Sequence, residues 1–353
     1  MHRKTGDLTF KREIWIDNLR CAGIVAVIVI HSVSHNQYKI GGGRYQWIIA
    51  TVIEGLVRWA VPIFLMISGA FNLNPDRVFS FEKMKQKSVR IFVAFILWSS
   101  IYALIASTRY MINHAGGFPV GKFFNDLFIG HFHMWYCWLI LALYLLTPLL
   151  REITKDRNLL KYGLICIAIC SFTIPYLEEI FDIPWLSSFI KNVPDVTHVG
   201  FIGYYLLGYY LYSREIDKKS EYLCYALGTL GMAIAVGGTI YSSYISGEFS
   251  GKWAYTSLPL LLQSIGVFVL FKNRADKPMM NKNFDSIKVF VSKQTFGIYL
   301  IHVFWMELLF VVVGRFIQWM PIVVGFVAVG TFVLTTIQVF VMSKIPIVRK
   351  YLL

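Results

Sequence analysis

The first apolar stretch of the chain reads Trp15-Ile16-Asp17-Asn18-Leu19-Arg20, then ten mostly aliphatic residues, then His31 followed by Ser32, Ser34 and His35. Eleven helical steps bring a side chain back to almost the same direction, so Arg20 and His31 project from one face about 16 Å apart. A neutral imidazole can take a proton from an attacking group or act as a nucleophile itself, whereas a guanidinium cannot lose its proton and suits a phosphate or carboxylate. His31 is therefore the candidate base or nucleophile and Arg20 the candidate anion partner. Asp17, one turn before Arg20, is placed to pair with it, and His35, one turn beyond His31, to shape the outer side of a pocket. The plain alternative is an interfacial Asp–Arg anchor with a helix-capping histidine. Their shared face on one apolar helix favours function.

Other ionisable groups inside apolar stretches are few, and each is costly there, by about 2.5 to 3.5 kcal/mol at a bilayer centre. Arg58 follows Glu54 by one turn, so the two can neutralise each other as a structural pair. His133 precedes Trp135 and Tyr136 at the start of another stretch, where interfacial aromatics are common and where aromatics beside a histidine also suit a sugar face. His302 and Glu307 lie about 140° apart around a helix, which leaves His302 as a hydrogen-bonding residue of the bundle.

The elements that hold these residues follow from composition. Of 353 residues, 56% are hydrophobic, 16% aromatic and only 15% charged, against about a quarter charged in a soluble domain. The apolar residues fall into about ten stretches near 15–35, 46–72, 89–112, 133–150, 159–177, 198–212, 221–245, 253–271, 292–313 and 320–342, the length needed to cross about 30 Å of hydrocarbon as helix. The fold predicted is all-α, a polytopic membrane bundle of about ten transmembrane helices, in a single domain over 1–353. The net charge of +14 is not a nucleic-acid signal, because 25 of the 34 Lys and Arg lie in the tail 1–14 and every second loop after it, which places both termini in the cytoplasm. Asp17 and Arg20, and the lack of a small-residue cleavage site, make the first stretch a retained helix rather than a signal peptide. Cys21, Cys137, Cys166, Cys170 and Cys224 fall inside spans without metal-ligand spacing and read as reduced core residues. No Walker loop, Rossmann fingerprint, HExxH or GxSxG occurs, which leaves no sign of nucleotide hydrolysis, redox cofactor or metal.

Four motifs in order carry a resemblance. Ile14-Trp15-Ile16-Asp17-Asn18-Leu19-Arg20 with His31, Arg58-Trp59-Ala60-Val61-Pro62 through Ser68-Gly69, His133-Met134-Trp135-Tyr136 leading to Thr147-Pro148, and Ser292 with Phe296-Gly297-Ile298-Tyr299-Leu300-Ile301-His302 are similar to motifs of the acyltransferase-3 family of membrane acyltransferases. The chain most resembles the short members that O-acetylate surface glycans such as enterobacterial common antigen. Cys21 departs from the family, where glycine is usual, and loosens packing beside Arg20. The resemblance implies a bacterial inner-membrane enzyme that moves an acyl group, usually acetyl from acetyl-CoA, to a hydroxyl of a glycan or lipid-linked glycan at the outer face. It implies His31, Arg20 and Asp17 as the catalytic set, and Arg58, His35, His133, Trp135, Tyr136, Tyr299 and His302 on the acceptor side.

CoA carries several phosphates, so its entry should show clustered cations on the cytoplasmic side. Lys83, Lys85, Lys87 and Arg90 form such a cluster, and Arg151 closes the fourth span. Lys87, Arg90 and Arg151 are the donor-binding candidates, although the positive-inside rule alone would place basic residues there. Two other classes stay open: a proton-coupled secondary transporter, which also uses intramembrane Asp, Arg, Glu and His, with Pro62 and Pro175 as helix breakers, and a non-catalytic component of glycan assembly. A polyol or a peptidoglycan sugar fits an aromatic-lined outer pocket as well as an envelope glycan does.

Overall fold

The computed structural model describes residues 13–37, 44–114, 116–192, 199–247, 249–274 and 282–352. The tail 1–12 lies outside them, as does the side chain of His35. The described residues form helices joined by loops, with no strand among them: α1 (Ile14–Gln37), α2 (Arg44–Val57), α3 (Ala60–Asn72), α4 (Phe81–His114), α5 (Val120–Ile129), α6 (Trp135–Lys155), α7 (Arg157–Ile167), a π-helical turn (Ala168–Thr173), α8 (Ile174–Phe181), α9 (Pro184–Asn192), α10 (Val199–Tyr212), α11 (Lys218–Ser246), α12 (Leu258–Asn273), α13 (Lys282–Val313), α14 (Met320–Met342) and α15 (Pro346–Tyr351). Eight helical segments among the described residues are long and apolar enough to cross a membrane. α10 and α12 are apolar but have only 14 and 16 residues, so the ten-span plan rests on these two shorter helices.

Prolines divide two of the expected spans. The stretch 46–72 is broken at Arg58-Trp59, between α2 and α3, because Pro62 has no N–H to give the carbonyl four residues back. The stretch 159–177 becomes α7, the π-helical turn and α8, with Pro175 in the first turn of α8. Within the turn the Thr173 hydroxyl donates to the Ala168 carbonyl at 2.9 Å. The connections after α4 and after α8 hold further short helices, α5 and α9, that hydropathy does not distinguish from loop.

α1 lies at the centre, against α2, α3, α12, α13 and α14. α3 and α10 meet backbone to backbone: a Cβ on Gly69 would lie 1.8 Å from the Tyr205 carbonyl oxygen, and one on Gly208 2.0 Å from that of Met66. Helix association in lipid relies on such close packing, because there is no hydrophobic drive between helices already in hydrocarbon. The five cysteines are free; Cys137 is buried, but Cys170 faces outward, so the core reading fails for it. The Cys21 thiol donates to the Lys288 carbonyl at 3.4 Å, so it packs between α1 and α13.

Candidate functional site

The two ends of the α1 stripe lie in different surroundings. At its Arg20 end, the guanidinium sits 5.6 Å from the centre of the Phe71 ring, and that of Arg77 sits 4.8 Å from the same ring. Lys87 lies within electrostatic reach of Arg77, Arg20 and Lys83; its ammonium donates to Asn72 Oδ1 at 2.9 Å and stands 6.0 Å from the Tyr144 ring. Arg90 also acts on Tyr144. Cations from α1, the α3–α4 loop and α4 thus converge around Phe71, Asn72 and Tyr144, an arrangement that suits a polyanion. Arg77 was not singled out in the sequence because the sidedness of charge already accounts for a loop arginine.

Arg151 does something else. Its guanidinium is 8% exposed and donates to the carbonyls of Asn72 at 3.0 Å, Asn74 at 2.5 Å, Pro75 at 3.4 Å and Arg77 at 2.7 Å. It braces the α3–α4 loop from α6, which is a different task from the donor contact expected of it. Asp17, buried, accepts from Ser292 Oγ across the α1–α13 contact at 2.5 Å. At the same end of the bundle a cavity of about 800 Å³ is lined by Asp76, Lys155, Arg157, Arg214 and Asp217 among others.

At the other end His31 is one of four clustered histidines. Its ring centre lies 5.2 Å from His302, 6.3 Å from His133 and 5.3 Å from Phe132. His133 and His302 are 5.2 Å apart, and His131 and His133 share a hydrogen bond between their Nδ1 atoms at 3.0 Å. These residues reach α1 because of Gly130: it ends α5 with φ +83°, and a Cβ there would meet Phe95 at 2.7 Å. The chain then turns tightly, with Met134 N bonded to the His131 carbonyl at 2.7 Å, before α6 begins. Tyr299 donates to the His133 carbonyl, which ties α13 to this turn, and within α13 His302 Nδ1 donates to the Tyr299 carbonyl.

His131 is the residue that sequence reading missed, although His131-Phe132-His133 is visible in the chain. It stacks on Tyr102 at 4.5 Å and faces the Glu307 carboxylate at 3.9 Å through Nε2. Burial pushes its imidazole down to about 4, with Asp126 opposing the shift, so it is neutral at ordinary pH. Glu307, which shares no face with His302, thus meets the cluster through His131. Tyr102 and Glu307 also line a cavity of about 720 Å³ between α4 and α13.

The second expected region joins the same end. Arg58 pairs with Glu54 at 3.0 Å, and Glu54 also accepts from Ser34 on α1 at 3.0 Å. The guanidinium stands 5.1 Å from the Tyr255 ring and 5.6 Å from the Trp253 ring, and its charge reaches His31. Both the structural pairing and proximity to the site are therefore present in one residue. Trp135 packs near Tyr255 and Phe201, and Tyr136 lies beside Tyr299. Among the described residues no group of three or more His, Cys, Asp or Glu side chains has the geometry of a metal site.

A family model described as "Acyltransferase domain" matches residues 13–340. No curated protein and no solved structure matches the chain.

Proposed function

The chain belongs to this family of membrane acyltransferases, and from that premise we propose that it is an O-acetyltransferase, which moves an acetyl group from cytoplasmic acetyl-CoA to a hydroxyl of an envelope glycan at the outer face of a bacterial inner membrane. The observation that carries the reading is the division of labour along α1, with clustered cations at Arg20 and clustered imidazoles at His31. By the sidedness of charge the first end is cytoplasmic and the second external, with both termini inside. In this reading Arg20, Arg77, Lys87 and Arg90 hold the donor's phosphates, and its narrow pantetheine arm runs along α1 towards His31. Neither substrate then has to cross the membrane.

At the histidine cluster His31 acts as general base. It takes the proton of the acceptor hydroxyl as that oxygen bonds to the acyl carbon, and returns it to the sulfur when the carbon–sulfur bond breaks. Arg58, near His31, faces the negative charge that develops on the carbonyl oxygen. Trp135, Tyr136 and Tyr255 supply flat surfaces for a sugar.

The test is acetyl transfer in proteoliposomes, with mass spectrometry of envelope glycans from cells with and without the gene. His31→Ala is expected to lower transfer by about 10² to 10⁴, the usual worth of a general base, while the protein stays folded and still binds CoA. Near-normal transfer by well-folded His31→Ala removes the catalytic assignment. Loss of pH-dependent solute uptake with no acyl product would favour a transporter.

A further inference from the structure

Two buried imidazoles of the cluster leave Nε2 without a hydrogen-bond partner among the described residues, and the Leu300 carbonyl also lies against the His133 ring. His302 is 0% and His133 1% exposed. The position of each proton follows from what lies on the other side of the ring. His302 Nδ1 is 2.6 Å from the Tyr299 carbonyl, and a carbonyl can only accept, so Nδ1 carries the hydrogen and the neutral ring presents a lone pair at Nε2.

His133 needs one more step. Between His131 Nδ1 and His133 Nδ1, 3.0 Å apart, one atom donates and the other accepts. Glu307 biases the choice: its carboxylate lies 3.9 Å from His131 Nε2, too far for a hydrogen bond but near enough to favour the hydrogen on that nitrogen. A neutral His131 has only one N–H, so its Nδ1 becomes the acceptor, His133 Nδ1 the donor, and His133 Nε2 a lone pair. Tyr102 stacks on the ring face, and Asp126, the other nearby carboxylate, is paired with Lys122 at 2.5 Å.

Two oriented acceptors whose rings lie 5.2 Å apart, both buried, call for a ligand that brings donors, since an unsatisfied buried polar group is costly. We infer that His133 and His302 form a fixed-tautomer pair of acceptors that receives two hydroxyl groups of the acyl acceptor, a sugar or other polyol, and that His131 and Glu307 are the positioning residues that hold His133 in this tautomer. The identity of the ligand as acyl acceptor rests on the acyl-transfer reading; the tautomers do not.

Histidine-selective ¹⁵N spectra of the full chain in lipid nanodiscs, assigned with His133→Gln and His302→Gln, read the tautomers directly. The wild type is expected to carry hydrogen on Nδ1 and none on Nε2 at both residues. Glu307→Leu and His131→Phe should let His133 populate both tautomers and leave His302 unchanged, and Glu307→Asp should keep the wild-type pattern. Hydrogen on His133 Nε2 in the wild type, or a His133 pattern indifferent to both substitutions, overturns the positioning role. Glycerol and a set of methyl hexosides should shift both Nε2 resonances, and fully O-methylated hexosides should not. Equal shifts from both kinds, or none from any, overturn the hydroxyl pair. If tautomers and shifts hold while acetyl-CoA yields no acyl product with any polyol, the acyl-transfer reading fails and the binding pair stands.

Discussion

Replacing Arg151 separates bracing of the α3–α4 loop from contact with the donor. Its guanidinium makes three bonds of 2.5 to 3.0 Å and one long bond of 3.4 Å to four carbonyls of residues 72–77. Hydrogen bonds to a charged group contribute about 1.5 to 3 kcal/mol each, so the three good ones would sum to about 4.5 to 9 kcal/mol if they added. They do not add, because one side chain makes them all, the loop carbonyls at the end of the bundle can rehydrate, and Arg151 itself is relieved of its own burial. A net loss of about 3 kcal/mol is expected for Arg151→Met, with Arg151→Lys between it and wild type, since an ammonium has three donors and no planar fork. In detergent this should appear as a fall of several degrees in the unfolding midpoint at a fixed scan rate. CoA binding should weaken in parallel, because one of the four acceptors is the carbonyl of Arg77. An Arg151→Met protein that melts like wild type and yet loses CoA would refute the bracing role and make Arg151 a donor contact.

Gly69→Ala puts a methyl 1.8 Å from a backbone oxygen of Tyr205, where ordinary contact begins at 3.4 Å; overpacking usually costs about 1 to 3 kcal/mol, and against backbone the upper end or more is expected. Size-exclusion chromatography should show loss of monodisperse protein for it and none for Gly117→Ala, around which nothing lies within 4 Å. Charge reversal at Lys87, Arg90 or Arg77 should weaken CoA binding measured by calorimetry, and wild-type binding should itself weaken with added salt as phosphate contacts are screened; unchanged affinity removes that residue from the donor site. Topology reporters placed in 272–293 or after Leu353 should read cytoplasmic and one in 178–195 external, and the opposite pattern would invert the donor and acceptor ends.

What the sequence made legible was whatever one helix holds by itself. Arg20 and His31 share a face because of their spacing, and of the about ten apolar stretches read from hydropathy, eight lie in helical segments long enough to cross a membrane. The arginine cluster could be read only in part, since Lys87 and Arg90 lie a turn apart on α4, while Arg77 reaches them through an irregular loop whose shape depends on Arg151. That same dependence explains why the bracing role of Arg151 was not legible. A loop with no helix of its own leaves carbonyls to be satisfied, and a buried guanidinium with five donors satisfies several at once. Hydropathy registers the charge but not the carbonyls around it.

The histidine cluster shows the same limit from another direction. His131 and His133 are two residues apart, a spacing that on a helix would point them to different sides. Gly130 takes the chain out of helix, and the tight turn to Met134 brings the two Nδ1 atoms within hydrogen-bonding distance. The approach of Glu307 likewise depends on the packing of α13 beside α4, not on its position relative to His302. A glycine with positive φ before a His-Phe-His run is thus the local cause of a site whose members come from α1, the α5–α6 turn and α13. Proton positions there are set by partners remote in sequence: a carbonyl for His302, and a carboxylate acting through one intervening ring for His133. Substituting Glu307 therefore tests the link between a residue at the edge of the cluster and the proton position on His133.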